Sequence, residues 1–321
     1  MSGEAPRLYE GPVVDAHQHF WDPVRNHHPW LTEAGIIPFR YGDYAAIRRP
    51  FLPPEYRELT RGHHVVATVY VETEWDPTDP VGELRYAEGL AREHGWPNAV
   101  VAQAWLDRED AADLLGTYAA APLVRSVRHK PGGPPSPGEV GTLRTLMSDE
   151  RWRRGFARLA PLGLRFDLQT PWWNAEEARR LALDFPDTTI VLNHLCLPSD
   201  RSEEGLAAWR RGLARIAEAE NTRVKISGFG RPGVPWTVED NRWIVREAIA
   251  IFGPERAMFA SNFPVDSLCV DFDTLYRGFK TMVADLPEGA QRQLFHDTAC
   301  ETYGLPPGLS EPSSAIAAHP R

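Results

Sequence analysis

Cysteine is scarce in this chain, and the few that occur form no pattern. Cys196, Cys269 and Cys300 are the only three in 321 residues, and no Cys-x-x-Cys pair is present. An odd, sparse set excludes a disulfide framework and fits a reducing compartment, so a soluble cytoplasmic protein is expected, with the thiols acting as small buried hydrophobes. No uninterrupted apolar run approaches the ~18–20 residues of a membrane-spanning helix. Met1–Glu10 is polar, without an apolar stretch behind a basic start, which argues against a secretory leader. Basic charge is also in short supply. A formal net charge of -9 excludes the basic face that nucleic-acid backbones require. No block of like charge suggests an acidic interaction tail, and no short repeat suggests a solenoid.

What is present is an ordinary globular composition, 42% hydrophobic and 25% charged, in a chain long enough for one large barrel. Short β-branched runs alternate with longer amphipathic stretches, the signature of βα units and a parallel sheet. The runs are Pro12–His17, Val65–Glu72, Ala99–Leu106, Leu123–His129, Leu164–Gln169, Thr188–His194, Thr222–Ser227 and Arg256–Ala260. Most are continuously apolar and end in a polar residue, as expected of strands buried on both faces with chemistry at their C-terminal ends. Helices are expected over Val81–His94, Asn174–Phe185, Glu203–Glu220 and Glu239–Phe252, the last closed by Gly253-Pro254. The predicted fold class is α/β, a distorted (β/α)8 barrel.

Two segments exceed a minimal barrel. Phe20–Arg61, rich in Pro, Trp and Tyr, is a long insertion after the first strand and is placed to fold over the mouth. Pro131–Gly138 is a stiff turn-rich loop after the fourth. Residues 1–305 read as a single domain, and the Pro-, Ser- and Ala-rich 306–321 as a loose tail.

Candidate chemistry clusters at strand ends. His17 and His19 are two apart on a strand and so share a face. They form either a half-site for a divalent cation or a pair of exposed loop histidines. His194 ends the sixth run, either completing a three-histidine set or serving as a hydrogen-bonded core residue. Arg128, His129 and Lys130 end the fourth run and suit a substrate carboxylate or developing oxyanion. The alternative for them is ion pairing with Glu72 and Asp167. Lys225 either binds substrate or pairs with a carboxylate. Trp21, Trp30, Trp172, Trp173, Trp236 and Phe263 follow strands and are candidates to line the mouth, with Arg128, Lys130 and Arg231 adding positive charge.

In order along the chain stand Asp-Ala-His-Gln-His-Phe-Trp-Asp-Pro, Val-Arg-His, Leu-Asn-His-Leu, Lys-Ile-Ser-Gly-Phe and Met-Phe-Ala-Ser-Asn-Phe-Pro-Val-Asp. Together they resemble the amidohydrolase superfamily, in its branch of sugar-acid lactonases and 2-pyrone-4,6-dicarboxylate lactonase. The resemblance spans roughly Val13–Tyr303 and implies a distorted TIM barrel with a small-molecule site at its mouth. It also implies that His17, His19 and His194 correspond to the first-strand pair and the sixth-strand histidine. They would be catalytic and, where a metal is used, ligands to Zn or Mn; some members of the branch work without metal.

The sequence departs from that pattern at one position. In the lactonases the eighth strand ends in Gly-Ser-Asp-Trp-Pro, whose Asp is the general base. Here the run is Ala-Ser-Asn-Phe-Pro, so Asn262 stands at the base position. A carboxamide cannot take a proton at neutral pH, though it can orient a water. Asp266, Glu72 and His129 are the substitute bases to consider. The leading reading is a hydrolase that opens a lactone or related cyclic ester of an anionic small molecule. A metal-assisted decarboxylase of an aromatic or unsaturated acid is the second, and a barrel that binds a small molecule without catalysis is the third. Glu72, Arg128, His129, Lys225, Trp21 and Trp172 are the candidate substrate contacts. The oligomeric state, monomer or homo-oligomer, is left open.

Overall fold

The computed structural model describes residues 7–33, 35 and 37–310. Eight parallel strands follow one another in a single sheet, in the order β1 to β8. They are β1 Val13–Gln18, β2 Val65–Val71, β3 Ala99–Gln103, β4 Val124–Arg128, β5 Arg165–Leu168, β6 Ile190–Leu192, β7 Thr222–Ile226 and β8 Ala257–Phe259. Each lies within the run expected for it except β1, which runs one residue further, to Gln18. The other ladders stop one to three residues short of the predicted ends, because Glu72, His129, Gln169 and His194 leave the sheet and turn into the mouth.

Burial on both faces explains why these runs are strands. Every residue of β1 and β2 is buried, and their valines and alanines can satisfy the backbone only within a ladder. β1 and β8 close the barrel through the segment after β8. Asn262 N–H donates to the His17 carbonyl at 2.7 Å and His19 N–H to that of Phe263 at 2.8 Å. The Asp15 carboxylate, fully buried, ties the same seam by accepting from Ser261 N–H at 2.8 Å, the Ser261 hydroxyl and the Tyr56 hydroxyl at 2.6 Å.

The insertion carries two short helices, α1 Pro29–Thr32 and α2 Pro53–Thr60. The outer layer comprises α3 Gly82–His94, α4 Ala111–Ala120, α5 Glu150–Phe156, α6 Ala175–Asp184, α7 Glu203–Ala217, α8 Val238–Phe252 and α9 Phe272–Met282. Their limits follow from capping. Ser202 accepts from Gly205 N–H to start α7, and Thr237 accepts from Asp240 N–H to start α8, each worth about 1 kcal/mol. α8 stops at Gly253, whose φ of 74° suits glycine alone among the common residues.

The expected tail is described only as far as residue 310, and residues 311–321 lie outside the described residues. Its first turn is held by the body, since the Leu309 carbonyl lies 2.8 Å from His296 Nε2. Among the described residues no helix is long and apolar enough to cross a membrane.

Candidate active site

The C-terminal ends of the strands and the insertion enclose a cavity of about 230 Å3. Its floor includes His19, His194 and Asn262, its side includes Arg128 and Gln169, and Trp21, Trp30, Phe39 and Arg40 of the insertion form its cover. The insertion thus folds over the mouth as expected. Trp21 is fixed there by its indole N–H, which donates to the Arg49 carbonyl at 2.9 Å.

The three histidines do meet. The His17 ring centroid lies 5.0 Å from that of His19 and 4.6 Å from that of His194. Burial lowers all three basicities. His19 is held down to about 3 by burial and then by Arg128. His17 falls well below its ordinary value through burial and the Lys225 charge, and His194 through burial and the charges of Arg40 and Arg128. All three are therefore neutral at pH 7.

Neutrality and hydrogen bonding together fix the tautomers. His19 Nδ1 lies 2.7 Å from the Val71 carbonyl, which can only accept, so Nδ1 carries the proton and Nε2 is a bare lone pair. That lone pair lies 3.4 Å from Asn262 Oδ1. The Asn262 amide nitrogen is committed elsewhere, donating to Asp266 Oδ1 at 2.6 Å. Two acceptors are thus directed at one small volume. His194 Nδ1 pairs with the Ser227 hydroxyl at 2.9 Å. His17 is fully buried, and neither ring nitrogen has a partner among the described residues.

Backbone strain gathers at this end of the barrel. His194, Leu195, Cys196 and Leu197 all have φ between 52° and 58°, and Glu74 and Asn262 have φ of 54° and 57°. A left-handed turn of four non-glycine residues costs about 1–2 kcal/mol at each. Packing holds it: the Trp209 indole donates to the Leu195 carbonyl at 2.6 Å, and Leu197 N–H to that of His194 at 2.8 Å. Strain maintained in this way is a mark of functional geometry.

The other candidates divide between the cavity wall and the structure beneath it. Arg128 and Glu72 form a buried ion pair. Burial raises the Glu72 carboxyl, but Arg128, Lys130 and the Glu74 N–H outweigh it and hold the group below the ordinary carboxylate value. Both of its oxygens are engaged, Oε1 by Arg128 and Oε2 by the Glu74 N–H, which leaves neither directed at a water. Asp266, 3% exposed, stands behind Asn262 and accepts from Tyr41 O–H and Gly228 N–H, each at 3.0 Å. Burial raises its carboxyl despite Arg40 and these donors. It is not on the cavity wall, so a direct base role does not fit its position.

Two expected substrate contacts, Lys225 and Trp172, need correction. Lys225 is fully buried with Nζ 2.6 Å from Asp167, which also holds Ser126, Asn193 and Tyr303, so it reaches His17 by charge and no ligand by contact. Trp172 packs edge-on against Trp173, with its carbonyl close to Gly212 of α7, and lines no mouth cavity. His129 belongs to a neighbouring cavity, where its Nδ1 accepts from Trp152 Nε1–H at 2.9 Å. Trp173, Trp236, Phe263 and Arg231 line neither mouth cavity. Conversely, Arg40, Tyr41, Gln169 and Glu74 were not anticipated. Gln169 ends a predicted strand and could have been read, whereas Arg40 and Tyr41 lie in the insertion without any motif.

The amidohydrolase family model matches residues 14–305. This chain belongs to the amidohydrolase family. The family identifies the protein as an enzyme of hydrolase type. The amidohydrolase is 37% identical to the protein y4mH of Sinorhizobium fredii, over 91% of this chain and 98% of that one. It is 26% identical to an L-fucono-1,5-lactonase of Burkholderia multivorans, over 94% and 98% respectively. An amidohydrolase crystal structure from Burkholderia multivorans with bound HEPES superposes with a TM-score of 0.76 at 24% identity, covering 92% of this chain and 99% of that one. A second crystal form of it, with bound zinc, gives 0.75 at 24% identity over the same shares.

Three neutral imidazoles offer the right atoms for a divalent ion, and the unpartnered His17 would welcome one. Against this, among the described residues no three His, Cys, Asp or Glu side chains are arranged to hold a metal. Asn262, beside His19, is a neutral amide and supplies no negative charge to a cation. The arrangement does not fit a divalent ion, and no step below uses one.

Proposed function

We propose that this amidohydrolase opens a lactone or related cyclic ester, using water held between His19 and Asn262. The observation that carries the reading is the 3.4 Å approach of His19 Nε2 and Asn262 Oδ1, two acceptors whose donors are committed elsewhere. One molecule with two O–H bonds, water, answers both. His19 Nε2 takes a proton as the water oxygen attacks the ester carbonyl. Asn262 orients the water and accepts no proton, which explains how an amide can occupy the position of a base.

The carbonyl oxygen becomes negative as the tetrahedral intermediate forms. Arg40 on the cover offers a guanidinium to that oxygen, whereas His17, buried and off the cavity wall, does not reach it. The same negative charge stabilises the new imidazolium, compensating for the low resting basicity of His19. Collapse breaks the ring C–O bond, the departing alkoxide takes the proton from His19, and the product is a hydroxy acid. Its carboxylate suits the Arg40 guanidinium on the cover of the mouth. The L-fucono-1,5-lactonase relatives support this substrate class.

The test is a panel of sugar-acid lactones and aromatic carboxylates followed by pH-stat with CO2 detection. Acid release from a lactone, lost in His19→Ala, is the expected result. CO2 release from a carboxylate, or no reaction with any compound, would overturn the proposal.

A further inference from the structure

Beside the catalytic cavity lies a wider one of about 560 Å3. Glu72, Glu74, Arg128 and Lys130 belong to the walls of both, so a ligand can extend from one into the other. Ester cleavage at His19 makes no use of this second space.

Its lining has a definite chemistry. Trp30, Trp75 and Trp105 provide aromatic surface. Arg108 stacks on Trp105 at 5.0 Å and thereby stiffens that wall. Gln103, at the end of β3, presents a buried Oε1 with no hydrogen-bond partner among the described residues. His129 Nδ1 accepts both Leu106 N–H at 3.2 Å and Trp152 Nε1–H at 2.9 Å. Both are obligate donors, so the neutral ring carries its proton on Nε2 and offers a donor. The wall thus supplies aromatic faces, one unmet acceptor and one donor.

Charge narrows the ligand further. Glu72 is paired with Arg128 and Glu74 with Lys130, which leaves the exposed Glu33 at the rim to disfavour an anion. An aryl group would use the tryptophans and leave Gln103 and His129 unsatisfied. A hydroxyl, being both donor and acceptor, satisfies the two together.

Resting on the hydrolase reading, we propose that the outer cavity is a subsite for a neutral glycosyl ring joined to the lactone. The substrate class is then the lactone of a two-ring aldobionic acid in preference to that of a single sugar acid. Stacking of a sugar face on tryptophan, with hydroxyls bonded to Gln103 and His129, supplies the selectivity.

The experiment compares glucono-1,5-lactone with cellobiono-1,5-lactone and maltobiono-1,5-lactone on wild type, Trp105→Ala and Gln103→Met. At least one two-ring lactone is expected to show a KM about tenfold lower than the one-ring lactone. Each variant is expected to abolish that advantage while leaving kcat and the one-ring KM unchanged. Equal KM values for one and two rings, or variants that leave the advantage intact, overturn the subsite. So does a phenyl-substituted lactone that is preferred over both sugars. If no lactone is hydrolysed, the hydrolase reading fails on its own, and saturation-transfer NMR with cellobiose and maltose judges the subsite. Binding to wild type that is lost in both variants upholds it; no binding, or binding unchanged by them, overturns it.

Discussion

The Asn262 amide nitrogen donates to Asp266 Oδ1 at 2.6 Å, and this contact sets the direction of the amide. With the nitrogen turned to the carboxylate, the Asn262 oxygen must face His19. Asp266 is itself held by Tyr41, Gly228 and Arg40, so the orientation is determined from behind the cavity wall. In the proposed mechanism Asp266, first considered as a substitute base, acts as a positioning residue.

Asn262→Asp is expected to lower kcat at neutral pH by about tenfold or more. A carboxylate there would meet Asp266 at hydrogen-bonding distance, and two such groups cannot both ionise. One would retain a proton, giving kcat a new pH dependence absent from wild type. A pH profile of kcat checks this, and a large rise in neutral activity would show that the base position had been vacant.

Asp266→Asn frees the amide to turn over, presenting N–H to His19 and displacing the water. A drop in kcat of about 100-fold with little change in KM is expected, because ligand contacts on the cavity wall remain. Asp266→Glu, which restores a carboxylate, should recover part of the loss. Unchanged turnover in Asp266→Asn rejects the positioning role.

In the proposed mechanism His19 acts as an unprotonated base, and burial places it at about 3. The acid limb of kcat/KM is therefore expected far below the ordinary histidine value of 6.5, with no inflection between pH 5 and 7 assignable to His19. Rates measured from pH 4 to 8 in a range where the fold persists decide the point. An inflection near 6.5 would mean that the working base is a solvated imidazole elsewhere.

Glu83 offers a stability test away from the chemistry. It is fully buried and accepts at Oε1 from Tyr70 O–H at 2.8 Å, Thr73 N–H at 2.7 Å and Thr73 O–H at 2.6 Å. Burial, then the Glu72 charge, raises its carboxyl from 4.5 to about 7. The folded state thus holds a proton that the unfolded state releases. Its contribution is fully present below pH 4.5 and is lost as pH rises through about 7. Glu83→Gln keeps the acceptor and cannot ionise. Relative to wild type it should gain up to about 3 kcal/mol between pH 4.5 and 8 in urea titrations. A difference independent of pH would contradict the raised value.

Zinc added to metal-free protein is expected to bind weakly and leave kcat unchanged, because no carboxylate joins the three rings as a ligand among the described residues. Elemental analysis and titration measure both quantities. One tightly retained equivalent, with activity lost on chelation, would return the histidines to a ligand role.

The barrel was legible because strands buried on both faces are largely apolar, as β2, β3, β6 and β8 are almost throughout. His17 and His19 were legible for a related reason, since a period of two fixes their shared face. The left-handed turn from His194 to Leu197 was not, because it contains no glycine and depends on the Trp209 contact. Lys225 and Trp172 were misplaced because a strand end or an aromatic pair does not reveal which layer its side chain enters. The choice rests on Asp167 in one case and on α7 in the other. Arg40 and Tyr41 reach the site across a long insertion, a distance that no local pattern encodes.

The hydrogen bonds that close β1 onto the segment after β8 run through His17, His19, Ser261, Asn262 and Phe263. The proposed water site and the barrel closure are therefore mechanically the same joint. The joint is made of hydrogen bonds between the first strand and the segment after the last, with no covalent link through it. For the same reason, slow loosening of this joint under heat or denaturant should extinguish turnover before the outer helices unravel, so that activity serves as the early gauge of an opening barrel.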